Sequence, residues 1–126
     1  MASGFTLFVG PAEAIELRRA LCRRFGGDPE VLDPGLLESA LARPRSTHYR
    51  TLCEQAAALL QSFAMQRVFR DGNLRFAFAL ACVFLRLNGL HVRVEPDEAV
   101  HFMREHVLAR GADVPRIARV LERVSV

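Results

Sequence analysis

The sequence predicts a mostly α-helical fold, a bundle of about six helices around a central apolar helix at about residues 73–88. Three observations carry that expectation. Glycine and proline cut the chain into segments of helical length, the segments repeat apolar residues at three- and four-residue spacing, and residues 91–94 alternate only weakly as a strand does. With 126 residues and 51% hydrophobic content, the chain is expected to form a single domain over residues 1–126. A chain of this length buries roughly two thirds of its unfolded surface, enough for a core without disulfide or metal staples.

Pro11 follows Gly10 and suits a first helical position; Ala14, Leu17, Leu21 and Phe25 then share a face until Gly26-Gly27 stops the helix. Asp33 is an N-cap with Pro34 behind it, and Leu36, Leu37, Ala40 and Leu41 form the next stripe, which Arg43-Pro44 ends. Residues 45–50 are polar and read as a loop. Leu52, Ala56, Leu59, Leu60 and Phe63 mark a third helix to about residue 67. The stretch NLRFAFALACVFLRLNG is apolar on every side between Phe76 and Leu87 apart from Arg86, so this helix should be packed all round, with Gly89 at its end. Residues 91–94 suggest one short β pair, with Phe5–Phe8 as the partner. Pro96, Asp97 and Glu98 open a fifth helix carrying Ala99, Phe102, Met103 and Val107, which Gly111 closes; Asp113 opens a sixth with Ile117, Val120, Leu121 and Val124.

The net charge is +3, and all 17 basic side chains are Arg. The absence of Lys excludes a Walker-type phosphate loop, a Schiff base and a kinase-type strand lysine. Arginine-only usage, with few Ile and no Trp, reads as the mark of a GC-rich genome. Cys22, Cys53 and Cys82 lie about 30 residues apart without C-x-x-C pairs, so they read as small core residues of a protein in a reducing cytosol. The N-terminal MASGFTLFVGP lacks a basic region followed by a long apolar run, and no apolar stretch is long enough to span a bilayer. A cytoplasmic protein without a membrane partner is expected.

The histidines offer little for metal or acid–base work. His101 and His106 are five apart and should diverge on a helix, HFMREH lacks the zincin spacing, and His48 and His91 are isolated. The loop before the central helix is richer. Asp71-Gly72-Asn73 combines a carboxylate, a glycine that lets backbone approach a ligand, and an Asn suited to capping, all at a helix N-terminus where free N–H groups and the dipole favour an anion. Arg75 stands in the first turn, where a cation opposes the dipole by about 0.3–1 kcal/mol, a sign that a bound phosphate would reverse. Without a ligand, the same Arg75 would reach solvent or pair with Asp71.

The stretch VFRDGNLRFAFALACVFLRLNG resembles the active loop and following helix of the Fic/Doc family, whose pattern is H-x-F-x-D/N-G/A-N-x-R. Phe69, Asp71, Gly72, Asn73 and Arg75 match it. Upstream, FGGDPEVLDPGLLESALARP is similar to the Doc-type segment running from R-x-G-G through an L-x-x-A-L helix to a proline, so the resemblance spans roughly residues 11–100. It implies a Doc-type toxin of a toxin–antitoxin pair with a Fic-like helical fold. The resemblance further implies ATP or another nucleoside triphosphate with Mg2+ at the loop, and transfer of phosphate or AMP to a protein hydroxyl, elongation factor Tu in the Doc branch, so that translation is blocked.

Carried over residue by residue, Asp71 would hold magnesium on the phosphates, backbone around Gly72, Asn73 and Leu74 would form the anion hole, Arg75 would grip a phosphate, and Phe69 would anchor the loop. The family's general-base histidine falls at position 67, where this chain has Arg67. Arginine stays protonated and cannot take the proton from the target hydroxyl, and loss of a positioned base costs on the order of 10²–10⁴ in rate. Leu74 stands where Doc-type loops usually carry lysine. Arg67 admits three origins: an inactivating substitution reached by a single-base change, a member that binds without transferring, or a mechanism in which nucleotide or water takes the proton. The resemblance thus implies an impaired enzyme. The alternative is a catalytically inactive Fic-fold interaction module. The expected partner is an antitoxin whose C-terminal helix fills a groove beside the loop; nucleic acid is disfavoured, because the arginines are spread over every segment rather than gathered on one face.

Overall fold

A computed structural model describes residues 5–126; residues 1–4, part of the N-terminal segment read as lacking a leader, lie outside the described residues. The fold is mostly helical. In chain order the helices are α1 (Pro11–Phe25), α2 (Pro34–Ala42), α3 (Leu52–Met65), α4 (Asn73–Leu87), α5 (Ala99–Phe102) and α6 (Val114–Val124). A single 3₁₀ turn, Arg43–Arg45, follows α2.

The helix starts are chemically specified. Asp33 Oδ1 accepts the Leu36 N–H at 3.1 Å and Asp113 Oδ1 accepts the Arg116 N–H at 2.9 Å, each before a first-turn proline. At α3, Thr51 and Glu54 form a reciprocal capping box. That helix ends at Met65, two residues short of the expected position, because the chain turns extended at Gln66.

α3 is the most thoroughly buried helix, where the sequence singled out α4. Its small residues Ala56, Ala57 and Ala58 are fully enclosed, so α4 packs against one side of α3 and α6 against another. α4 still holds the central place, touching α1, α3 and α5, and its Phe76 and Phe84 are fully buried. It is not packed all round, however: Ala79, Cys82, Val83 and Arg86 line an open cleft. The apolar character of that face reflects a groove rather than interior.

The expected pairing of residues 91–94 with Phe5–Phe8 does not form. His91 exchanges hydrogen bonds with Val126 at 2.8 and 2.9 Å, and the Arg93 N–H donates to the Val124 carbonyl at 2.7 Å, so the segment pairs with the end of the chain through one antiparallel bridge, Val92 to Ser125. Leu7 is instead held by a side chain. Asn88 Oδ1 accepts its N–H at 2.8 Å and Asn88 Nδ2 donates to its carbonyl at 2.9 Å. The fifth helix is composite, running from a 3₁₀ turn at Pro96–Glu98 through α5 into a π-helical turn at Met103–Val107.

Candidate active site

The loop between α3 and α4 is fastened from below before it offers anything to a ligand. Phe69 is fully buried, edge-on to Phe76 with ring centroids 4.7 Å apart. Its backbone bridges to Val31, and the Leu32 N–H donates to the Val68 carbonyl at 2.8 Å, which ties the loop to the segment preceding α2. Asn73 completes the clamp: Oδ1 accepts the Phe69 N–H at 3.1 Å and Nδ2 donates to the Phe69 carbonyl at 2.9 Å.

Asn73 therefore does not cap the helix, contrary to its expected aptitude. Gly72 holds the N-cap position in the left-handed region (φ 68°), and no side chain among the described residues caps α4. Phe76 donates to the Gly72 carbonyl, but the N–H groups of Asn73, Leu74 and Arg75 find no acceptor among the described residues. Three orphan donors and the positive end of the helix dipole thus face outward at one point, an arrangement that favours an anion.

Asp71 and Arg75 flank this point and do not pair with each other. Arg75 stacks on Phe25, its guanidinium carbon 3.9 Å from the ring centroid, and Nη1 donates to the Pro96 carbonyl at 3.3 Å. It has no carboxylate partner among the described residues. Leu74, at the position where related loops carry lysine, is half-buried against the core. Arg67 is exposed and folds back along its own loop, Nη2 donating to the Arg70 carbonyl at 3.0 Å.

The partner of Asp71 is Arg18, a residue the sequence analysis missed. Arg18 comes from α1, its side chain is only 3% exposed, and Nη2 reaches Asp71 Oδ1 at 3.0 Å while also donating to the Asp28 carbonyl at 2.8 Å. Its guanidinium lies over the Phe69 ring, 4.6 Å from the centroid. A signal was present: Arg18 shares the apolar face with Ala14, Leu21 and Phe25, and a charge in such a stripe calls for a buried partner. Gly26-Gly27, read as a helix stop, also shapes the site. A Cβ on Gly27, whose φ is +106°, would sit 2.7 Å from Asp71 Oδ1.

Arg18, Leu21, Phe25, Gly26, Gly27, Asp71, Gly72 and Arg75 enclose a cleft of about 270 Å³. Phe25 and Arg75 also wall a larger, mainly apolar cleft of about 360 Å³, whose floor includes Phe78, Cys82, Val83 and Val94 and whose rim carries Arg24 and Arg86. Burial pushes the Cys82 thiol up to about 12 and raises that of Cys53 as well, with Glu122 adding to the latter.

Asp71 Oδ2 has no partner among the described residues, and its carboxylate is half-exposed at the cleft. No group of three His, Cys, Asp or Glu side chains converges as a metal site among the described residues. Magnesium keeps several waters and takes one or two carboxylates together with phosphate oxygens, so this donor set fits the ion in company with a phosphate ligand. His101 and His106, expected to diverge, both reach Glu105 at 3.1 Å, far from this cleft in the chain and without a third ligand.

The helical bundle, the carboxylate before its central helix and the arginine in that helix's first turn agree with what comparison with known proteins shows: the chain belongs to the Fic/Doc family. The Fic/DOC family model matches residues 8–85, more than half of the chain. The sequence is 42% identical over 104 residues to a protein named Toxin Doc from Mycolicibacterium smegmatis, covering 77% of this chain and 79% of that one. It is 35% identical over 95 residues to the protein kinase doc of Escherichia phage P1, covering 72% and 75%. The chain is thus a Doc-type member of the family.

Proposed function

We propose that this Doc-like toxin domain binds a nucleoside triphosphate, ATP or another, with Mg2+ at the Asp71-Gly72-Asn73 loop, and that its transfer of phosphate or AMP to a protein hydroxyl is impaired as the sequence stands. The observation that carries the reading is the uncapped start of α4, where the N–H groups of Asn73, Leu74 and Arg75 have no acceptor among the described residues and the side chains of Asp71 and Arg75 flank them. The phosphates would rest on those N–H groups. Arg75 would leave the Pro96 carbonyl and hold a phosphate oxygen, while Phe69 and Asn73 keep the loop in shape. Bound magnesium would neutralise phosphate charge, with Asp71 Oδ2 among its ligands. Positioning and charge compensation of this kind supply most of the catalysis in phosphoryl transfer.

Arg67 limits the chemistry. A guanidinium cannot accept the target hydroxyl's proton, so binding survives where transfer fails. The resemblance points to elongation factor Tu as the target of active relatives, and the cysteine pattern to a reducing cytosol as the place of action. No helix among the described residues is long and apolar enough to cross a membrane. The apolar cleft beside the loop suits the proposed antitoxin segment: an amphipathic helix with acidic residues would bury its apolar face on Phe78, Cys82 and Val83 and meet Arg24 and Arg86 at the rim. Arg67 also favours a second reading, a catalytically inactive Fic-fold module that works by partner contacts alone.

Calorimetric titration with ATP and magnesium separates the two. Heat that disappears in Arg75→Ala supports the nucleotide site; no heat with the unaltered protein leaves the interaction module. If impairment by Arg67 is correct, Arg67→His makes the protein toxic to bacteria and able to modify purified elongation factor Tu, and the absence of both gains sinks that part of the reading.

A further inference from the structure

Arg18 is the cationic side chain enclosed most completely, and its hydrogen bonding is incomplete. A guanidinium carries five N–H donors. Nη2 serves Asp71 Oδ1 and the Asp28 carbonyl, whereas Nε is buried without a partner and Nη1 makes no hydrogen bond among the described residues. Nη1 lies beside Gly72: a Cβ added there would stand 2.7 Å from it. Nη1 therefore belongs to the same cleft as the uncapped start of α4, while Nε is enclosed behind it.

We infer that Arg18 is a positioning residue of this site, a resident cation that fixes Asp71 by one oxygen, lets the cleft take a phosphate-type anion without metal, and denies Asp71 to a divalent cation arriving alone. The inference rests on the reading of the loop as a phosphate site. Its physical basis is charge. Asp71 is the one carboxylate lining the cleft, and Arg18 at 3.0 Å already compensates it. A free divalent cation meets a half-occupied carboxylate beside two guanidinium groups, Arg18 and Arg75, and has too few oxygen ligands. A phosphate meets both guanidinium groups and three backbone N–H donors, and once bound it adds the oxygens that the cation lacks. Anion and metal binding are then ordered, the anion first.

The experiment uses the full chain, inorganic pyrophosphate and Mn2+, with calorimetry for the anion and equilibrium dialysis for Mn2+ held on the protein side beyond a protein-free pyrophosphate control. Unaltered protein takes up pyrophosphate in metal-free buffer, takes up no Mn2+ alone, and takes up Mn2+ once pyrophosphate is present. Arg18→Gln, verified as folded by thermal melting, weakens metal-free pyrophosphate binding by about 10- to 100-fold, the range for losing a charged hydrogen bond, and gains uptake of Mn2+ alone. A variant that is merely damaged gains nothing. Asp71→Asn supplies a second arm that does not depend on Arg18→Gln folding, since freeing Arg18 from its carboxylate strengthens metal-free pyrophosphate binding. The inference is overturned if Arg18→Gln binds pyrophosphate as the unaltered protein does, if the unaltered protein takes Mn2+ alone, or if Asp71→Asn weakens the anion. Should the unaltered protein bind neither pyrophosphate nor ATP with magnesium, the phosphate reading of the loop falls too; normal ATP binding with an unaffected Arg18→Gln removes the role of Arg18 only.

Discussion

The carboxamide of Asn73 holds both backbone groups of Phe69, accepting its N–H at 3.1 Å and donating to its carbonyl at 2.9 Å. The side chain acts as a strand edge one residue long. Asn73→Asp keeps the acceptor and removes the donor, leaving the Phe69 carbonyl unpaired in a part-buried setting. The expected cost is about 1–3 kcal/mol in denaturant unfolding. Asn88 clamps Leu7 in the same way at an exposed edge, and its Nδ2 also donates to the part-buried Phe84 carbonyl at 2.8 Å. Each Asn→Asp variant therefore strands one part-buried carbonyl, Phe69 or Phe84, so the two costs should be alike, and a near-neutral Asn88→Asp would show that burial of the acceptor is not what gives these clamps their value.

Gly72 is constrained twice, by a φ of +68° and by Arg18 Nη1 at 2.7 Å from a would-be Cβ. Gly89 has a φ of +92° with nothing within 4 Å, so it carries only the backbone constraint. Gly89→Ala should cost about 1–2 kcal/mol, the price of a left-handed residue with a side chain. Gly72→Ala should exceed it and also weaken anion binding, because Arg18 must move. Equal midpoints for the two variants in urea would show that Arg18 yields freely.

The helix starts and the site loop were legible in the sequence because their chemistry is local. Asp33 and Asp113 bond to N–H groups three residues on, and Asp71, Gly72, Asn73 and Arg75 stand within five positions of one another. What was not legible depends on partners far along the chain. Arg18 meets Asp71 across 53 residues, and its place in an apolar stripe marks a buried charge without naming the carboxylate. The pairing of residues 91–94 was assigned to the wrong segment because a weak strand pattern carries no information about its partner. Leu7 was already satisfied by Asn88, and the residues after α6 lay closer to hand. The apolar face of α4 showed the same ambiguity: periodicity reports that a surface is apolar, and a groove and an interior give it equally.

Cys82 lies in that groove, and burial raises its thiol from 9.0 to about 12. At pH 8 the native protein therefore exposes roughly a thousandfold less thiolate at this position than an unperturbed cysteine, and alkylation by iodoacetamide should be correspondingly slow. The same shift has a stability consequence. Between pH 9 and 12 the unfolded chain releases this proton while the native chain retains it, so the contribution is present below pH 9 and is lost as pH rises. Cys82→Ser should flatten the alkaline fall in melting temperature. A fall of unchanged slope would exclude Cys82 as its source.

Arginine-only composition and a positional need for arginine make different predictions at Arg43. Its Nε donates to Tyr49 Oη at 2.9 Å, Nη1 to Ser62 Oγ at 2.8 Å and Nη2 to Gln61 Oε1 at 2.8 Å, while the guanidinium lies 5.4 Å from the centre of the Tyr49 ring. Four acceptors on three nitrogens, counting the Ala58 carbonyl at 3.4 Å from Nη1, match a fork of donors and not the single ammonium of lysine. Arg43→Lys should therefore cost about 1–3 kcal/mol, more than one hydrogen bond being lost. Arg23, Arg104 and Arg119 are exposed and make no specific contact among the described residues, so their replacement by Lys should stay within about 0.5 kcal/mol. If Arg43→Lys proved as neutral as these three, genome bias would account for Arg43 as well, and the fork joining the turn after α2 to the end of α3 would have no energetic weight.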